Sequence, residues 1–229
     1  MADKKFGNEG DSAEIMIIKA KDFWERNSKI ISIAFVVVVL GVGGYFGYKN
    51  FIQKPNEEKA VDTLYKAEEY FRMDSVNLAL KGDGQYLGFL KVIDKYGSTD
   101  AGNLACYYAG VCYVKLDDNA NAIKYLKKFS TDSKPVKARV YKLLGDASGD
   151  LGKSADAVDY YKKSAHLFED DKDNSSEALF LAAYLTDRVL KNPKEAIELY
   201  KELKEKYPNT EKGVDADNYL AQLGVYNTN

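Results

Sequence analysis

Three stretches of this chain superimpose without a gap: "CYYAGVCYVKLDDNANAIKYLKKF" (Cys106 to Phe129), "YKLLGDASGDLGKSADAVDYYKKS" (Tyr141 to Ser164) and "FLAAYLTDRVLKNPKEAIELYKEL" (Phe180 to Leu203). No other feature narrows the fold so far, because a unit of this size cannot bury its apolar face alone and must stack on its neighbours. Ala122, Ala157 and Ala196 share one column, and Leu126, Tyr161 and Tyr200 share another four positions later. Gly110 and Gly145 lie 35 residues apart. The small pair Ala109 and Gly110 lets two helices cross closely, the alanine column seats the second helix on the first, and the large residue after it fills the next gap between helices.

Two antiparallel helices per unit of about 34 residues is the pattern of the tetratricopeptide repeat (TPR). The expected fold is therefore all-α, a TPR α-solenoid over residues 57–229. The last copy closes with "KYPNT", where Pro208 stops the second helix. "DKYGST" (Asp94 to Thr99) looks like the same ending without the proline, and marks a degenerate first repeat from about Glu57 to Gly97. "KGDGQ" (Lys81 to Gln85) is expected as the turn between its two helices, and Gly213 to Val225 as a capping helix. About four repeats exceed the three needed for a stable stack.

Ahead of the repeats, Ile30 to Tyr48 is 19 residues without a charge, between Lys29 and Lys49. As a helix it measures about 28 Å, enough to cross a hydrocarbon layer of about 30 Å. A retained anchor is the expectation, rather than a cleaved signal or a buried core helix. Signals have shorter apolar cores and a small-residue cleavage site, and a run apolar all round does not suit a half-buried helix. Gly43 and Gly47 have the spacing that lets a second membrane helix approach. Tyr45, Tyr48, Phe23 and Trp24 suit the two interfaces. Residues 1–29 become a cytoplasmic tail, with 1–14 irregular and Ile15 to Asn27 a short amphipathic helix. Residues 49–56 become a linker in which Pro55 starts a new helix. Lys19, Lys21, Arg26 and Lys29 outnumber Lys49, Lys54 and Lys59, which favours a cytoplasmic N-terminus.

The net charge of −2 argues against nucleic-acid binding, which needs a basic face to neutralise phosphates. Cys106 and Cys112, six residues apart on one helix, are too distant for a disulfide and read as packing residues. His166 is the single histidine and has no nucleophile to serve. "EDDKD" (Glu169 to Asp173) lacks the spacing and glycine of a calcium loop, and no phosphate-cradling glycine loop occurs. No cofactor, metal or enzymatic activity is expected.

What remains is a binding groove. TPR arrays line a concave face with the first helix of each unit. The usual positions fall on Leu104, Tyr107, Val111 and Lys115, then on Arg139, Lys142 and Asp146, then on Ala178, Leu181, Leu185 and Arg188. Apolar flanks around a charged centre suit an extended polypeptide segment. TPR domains that capture chaperone C-termini use a clamp of Lys and Asn. Asp146 and Tyr107 depart from it, which disfavours that role.

"FWERNSK" (Phe23 to Lys29) and "LGVGGYFGYKNF" (Leu40 to Phe51), joined to the repeats, resemble the YfgM-type family of ancillary Sec-translocon subunits. The resemblance covers roughly residues 15–225. It implies a single-pass protein of the bacterial inner membrane with the repeats in the periplasm. It also implies two partners, the Sec channel and a membrane-anchored periplasmic chaperone with a prolyl-isomerase-like domain. Two other readings stay open: a scaffold for cell-wall or outer-membrane assembly, and a cytoplasm-facing receptor of reversed topology.

Overall fold

The computed structural model describes residues 9–226. The chain divides into two compact units, Met1–Pro55 and Asn56–Asn229.

In the first unit, helix α1 runs from Glu9 to Tyr48, 40 residues in one piece. The separate amphipathic helix expected over Ile15 to Asn27 is therefore part of a longer rod, and residues 9–14, expected to be irregular, are helical. The physical reason is the absence of proline between Glu9 and Tyr48, so the backbone ladder has no cause to break. Side-chain donors reinforce it: Asn27 Nδ2 donates to the Phe23 carbonyl at 2.9 Å. The rest of the expected tail, residues 1–8, lies outside the described residues. None of residues 30–48 is buried, and this helix is long and apolar enough to cross a membrane.

The segment expected as a linker is also helical. Lys49–Gln53 is π-helical, and the Lys54 N–H bonds to the Lys49 carbonyl five residues back. Pro55 accounts for the widening, because its ring would collide with the carbonyl of Phe51 in a regular α-helix.

The second unit is a stack of paired helices. The first members of the pairs are α2 (Lys54–Arg72), α5 (Asp100–Lys115), α7 (Lys134–Asp150) and α9 (Lys172–Arg188). The second members are α3 with α4 (Val76–Lys81, Phe89–Tyr96), α6 (Asn119–Leu126), α8 (Ser154–Leu167) and α10 (Pro193–Lys206). Helix α11 (Glu211–Gln222) caps the last pair. Each pair turns through one residue of positive φ: Asp74, Asp117, Gly152 and Lys191. That shared geometry fixes the register of all four repeats. It brings Ala79 into line with Ala122, Ala157 and Ala196, all fully buried.

The same turns correct two expectations. "KGDGQ" does not join the two helices of the first repeat; Asp74 does. The Gly82–Gly88 stretch instead interrupts the second helix. Gly82 has φ +85°, and the Asp83 carboxylate accepts from the backbone N–H of Gln85 at 2.9 Å and of Tyr86 at 2.7 Å. This insertion is why the first repeat looks degenerate.

Second, the gapless alignment fails in the first helix of the last copy. The Asp118 N–H reaches Tyr113 and the Lys153 N–H reaches Ser148, five residues back in each case. The equivalent Asn192 N–H reaches Thr186, six back. One extra residue sits in that turn, so α9 is displaced by one position. Ala183, fully buried, takes the place of Gly110 and Gly145, and Tyr184 is left 39% exposed.

Among the described residues three buried clusters make up the core. One lies in the first repeat and α5 around Leu80, Phe89 and Val92, a small one holds Leu126, Val140 and Leu144, and one runs from α8 to α11 around Leu179, Tyr200 and Leu203. All of their residues lie between Ala60 and Val225, so the second unit holds its own core.

Candidate polypeptide-binding groove

The middle of the solenoid carries a concavity. Arg139, Lys142 and Asp146 on α7 line a pocket of about 490 Å³ together with Asn174, Ser175 and Glu177 on α9. Lys142 Nζ lies between two carboxylates, 3.5 Å from Asp146 Oδ2 and 3.4 Å from Glu177 Oε1. Asp146 Oδ1 also accepts from the Tyr161 hydroxyl at 2.7 Å. Burial, and then the hydrogen bond to Asp146, push the Tyr161 phenol well above its ordinary range, so it stays a donor. Among the described residues no ion pair engages Arg139, which is exposed at the pocket wall.

The structure treats the flanking residues unevenly. The Tyr107 ring packs on Phe129, with centroids 5.4 Å apart, and on Tyr108 at 5.6 Å, so much of it belongs to the inter-repeat packing. Lys115 Nζ meets Asp74 Oδ1 at 2.5 Å and lies over the Phe71 ring. Leu104 and Val111 are half-buried.

On α9 the one-residue displacement changes which side chains are presented. Ala178 is fully buried, and Leu181 and Leu185 pack against the core. Glu177, Phe180 and Tyr184 occupy the positions equivalent to Arg139, Lys142 and Asp146. Phe180 and Tyr184 join Tyr219 of the capping helix, with the Phe180 centroid 6.0 Å from Tyr184 and 5.1 Å from Tyr219. Arg188 is held by Asp187 at 2.9 Å and by the Gln222 side chain. The sequence could have revealed this aromatic end, because Phe180 and Tyr184 are spaced i,i+4. The misplaced register hid it.

The remaining candidates lie elsewhere. A β-carbon added at Gly43 or Gly47 would meet nothing within 4 Å, so the helix surface there is open. Cys106 and Cys112 are buried free thiols, and burial raises Cys112 to about 12. His166 is exposed, with Nε2 2.8 Å from Glu202 Oε1. Among the described residues no group of His, Cys, Asp or Glu is placed to hold a metal ion.

A family model described as tetratricopeptide repeat matches residues 105–132 and 177–210. These two matches fall on the second and fourth helix pairs. A comparison with curated proteins finds no match.

Proposed function

We infer that this chain is a membrane-tethered, non-enzymatic adaptor whose solenoid binds polypeptide segments. The observation that carries the reading is the concave strip itself, a charged centre at Arg139, Lys142, Asp146 and Glu177 flanked by the aromatic end at Phe180 and Tyr184. TPR arrays serve in general as protein-interaction scaffolds, and this strip offers backbone-length contact rather than a reactive centre. The apolar helix over residues 30–48, with no buried residue, supports the tether. A core helix of that composition would be covered.

The resemblance of "FWERNSK" and "LGVGGYFGYKNF" points to the partners: Sec-translocon subunits and a membrane-anchored periplasmic chaperone, at the bacterial inner membrane, with the N-terminus cytoplasmic. A tether there raises the effective concentration of the groove near emerging chains. Affinity purification of the intact protein from gently solubilised membranes tests this, and is expected to enrich Sec channel subunits. Enrichment of cell-wall or outer-membrane assembly proteins instead would move the adaptor to that machinery. Protease added to spheroplasts is expected to digest the repeats. Protection would place them in the cytoplasm and overturn both the orientation and the translocon role.

A further inference from the structure

Charge is unevenly distributed along the solenoid. Residues 119–168 carry ten Lys and Arg against five Asp, whereas residues 56–118 carry seven against eleven Asp and Glu, and residues 169–229 eight against thirteen. Part of the basic middle lies on the face made by α6, the residues just past its end, and α8. Lys124 and Lys128 lie over the Tyr125 ring, at 5.3 and 5.5 Å from its centroid. Lys127 and Lys163 converge on the Tyr160 ring from different helices, at 5.9 and 5.4 Å. Lys137 joins Lys127 and Tyr160 around a pocket of about 260 Å³. All five lysines are exposed, and none makes an ion pair among the described residues. The carboxylates exposed on α8, Asp156 and Asp159, leave a clear cationic excess.

From this juxtaposition of unpaired lysines and half-buried tyrosines, we propose that the α6–α8 face docks on the headgroups of an anionic lipid surface. Lysine stems laid along aromatic rings hold their ammonium groups outward, where each adds attraction to an anionic bilayer. Tyrosine, apolar in body and polar at its tip, suits the headgroup layer. Seven residues separate Tyr48 from Asn56, so if the apolar helix is an anchor the second unit stays within reach of the bilayer that holds it. The proposal uses the anchor reading for proximity alone, and its test does not.

Because residues 56–229 hold their own core, that unit can be tested without the apolar helix. Flotation with phosphatidylglycerol-containing vesicles and with purely zwitterionic vesicles is expected to show binding to the first alone, released by high salt. Lys127→Glu with Lys163→Glu, and separately Lys124→Glu with Lys128→Glu, are expected to lower the bound fraction at least about fivefold. Lys194→Glu with Lys201→Glu on α10, where four Lys stand against four Glu, makes the same change in net charge and is expected to alter binding less than about twofold. Absence of flotation by the folded wild-type unit overturns the proposal, as does an equal loss in the α10 variant. Displacement by inorganic phosphate, beyond that by chloride at equal ionic strength, would replace the lipid surface with a free-phosphate site. Capture of soluble polyglutamate without vesicle binding would assign the face to an acidic polypeptide.

Discussion

Tyr161 holds Asp146 in place: its ring, 5% exposed, lies on Gly145, and its hydroxyl donates to Asp146 Oδ1 at 2.7 Å. A residue of the repeat core thus orients a carboxylate of the proposed groove. Tyr161→Phe keeps the ring and removes the donor. A hydrogen bond to a charged group contributes about 1.5–3 kcal/mol, and urea unfolding of the variant should show a loss at the lower end of that range. Groove affinity for any peptide that contacts Lys142 should change with it, since Asp146 is then free to move on Lys142.

The displaced register of α9 makes opposite predictions for adjacent positions. Ala183→Leu forces bulk into a buried crossing and should cost about 1–3 kcal/mol. Tyr184→Ala is exposed and should shift stability by no more than about 1 kcal/mol. Gapless alignment predicts the reverse, so thermal melts of the two variants decide the register.

The junctions after the first and last repeats are built alike. Thr99 Oγ1 accepts from the Gly102 N–H at 3.0 Å, and Thr210 Oγ1 accepts from the Gly213 N–H at 3.1 Å. A β-carbon on either glycine would overlap a backbone carbonyl, that of Tyr96 or of Tyr207. Gly102→Ala and Gly213→Ala should each cost at least about 1–3 kcal/mol, more than loss of a cap in Thr99→Ala or Thr210→Ala at about 1 kcal/mol. Equal losses in chemical denaturation would mean that the glycines are not needed for close approach.

Acid should loosen the contact between α8 and α10. Burial disfavours the charged Glu202, but the hydrogen bonds from Lys206 and His166 outweigh it and hold its carboxyl below the ordinary value of 4.5. A lowered folded value means that this stabilisation is present above that ordinary value and is lost as pH falls through the folded one. Glu202→Gln should therefore flatten the acid limb of the stability curve, leaving neutral-pH stability lower than wild type.

The two thiols report folding. Cys112 is fully buried, and its thiol is raised from 9.0 to about 12 by burial. Its neutral form is therefore favoured in the fold, and the associated stability is complete below pH 9.0 and lost as pH rises toward 12. A thiol reagent at mildly alkaline pH should label neither cysteine in the native protein and both after denaturation.

The repeat architecture was legible because it rests on local, periodic demands. A buried alanine where two helices cross, a large side chain four residues on, and a proline or threonine at the junction each leave a mark in the sequence. The apolar length of residues 30–48 is equally direct, since only composition and count enter. Several details depended on tertiary structure. The interruption at Gly82–Gly88 reads as a turn in sequence because glycine and aspartate serve both, and only Asp74 in the left-handed region shows where the chain reverses. The merging of residues 9–48 into one rod is not visible in composition, because polar composition alone does not end a helix. On α9 the expected Leu181 and Leu185 turn toward the core because one residue in a turn rotates a helix by about 100°. Sequence therefore determined what kind of surface this chain builds, and packing decided which side chains face it, since a side chain's direction is set by the distance along the helix from the turn that seats it.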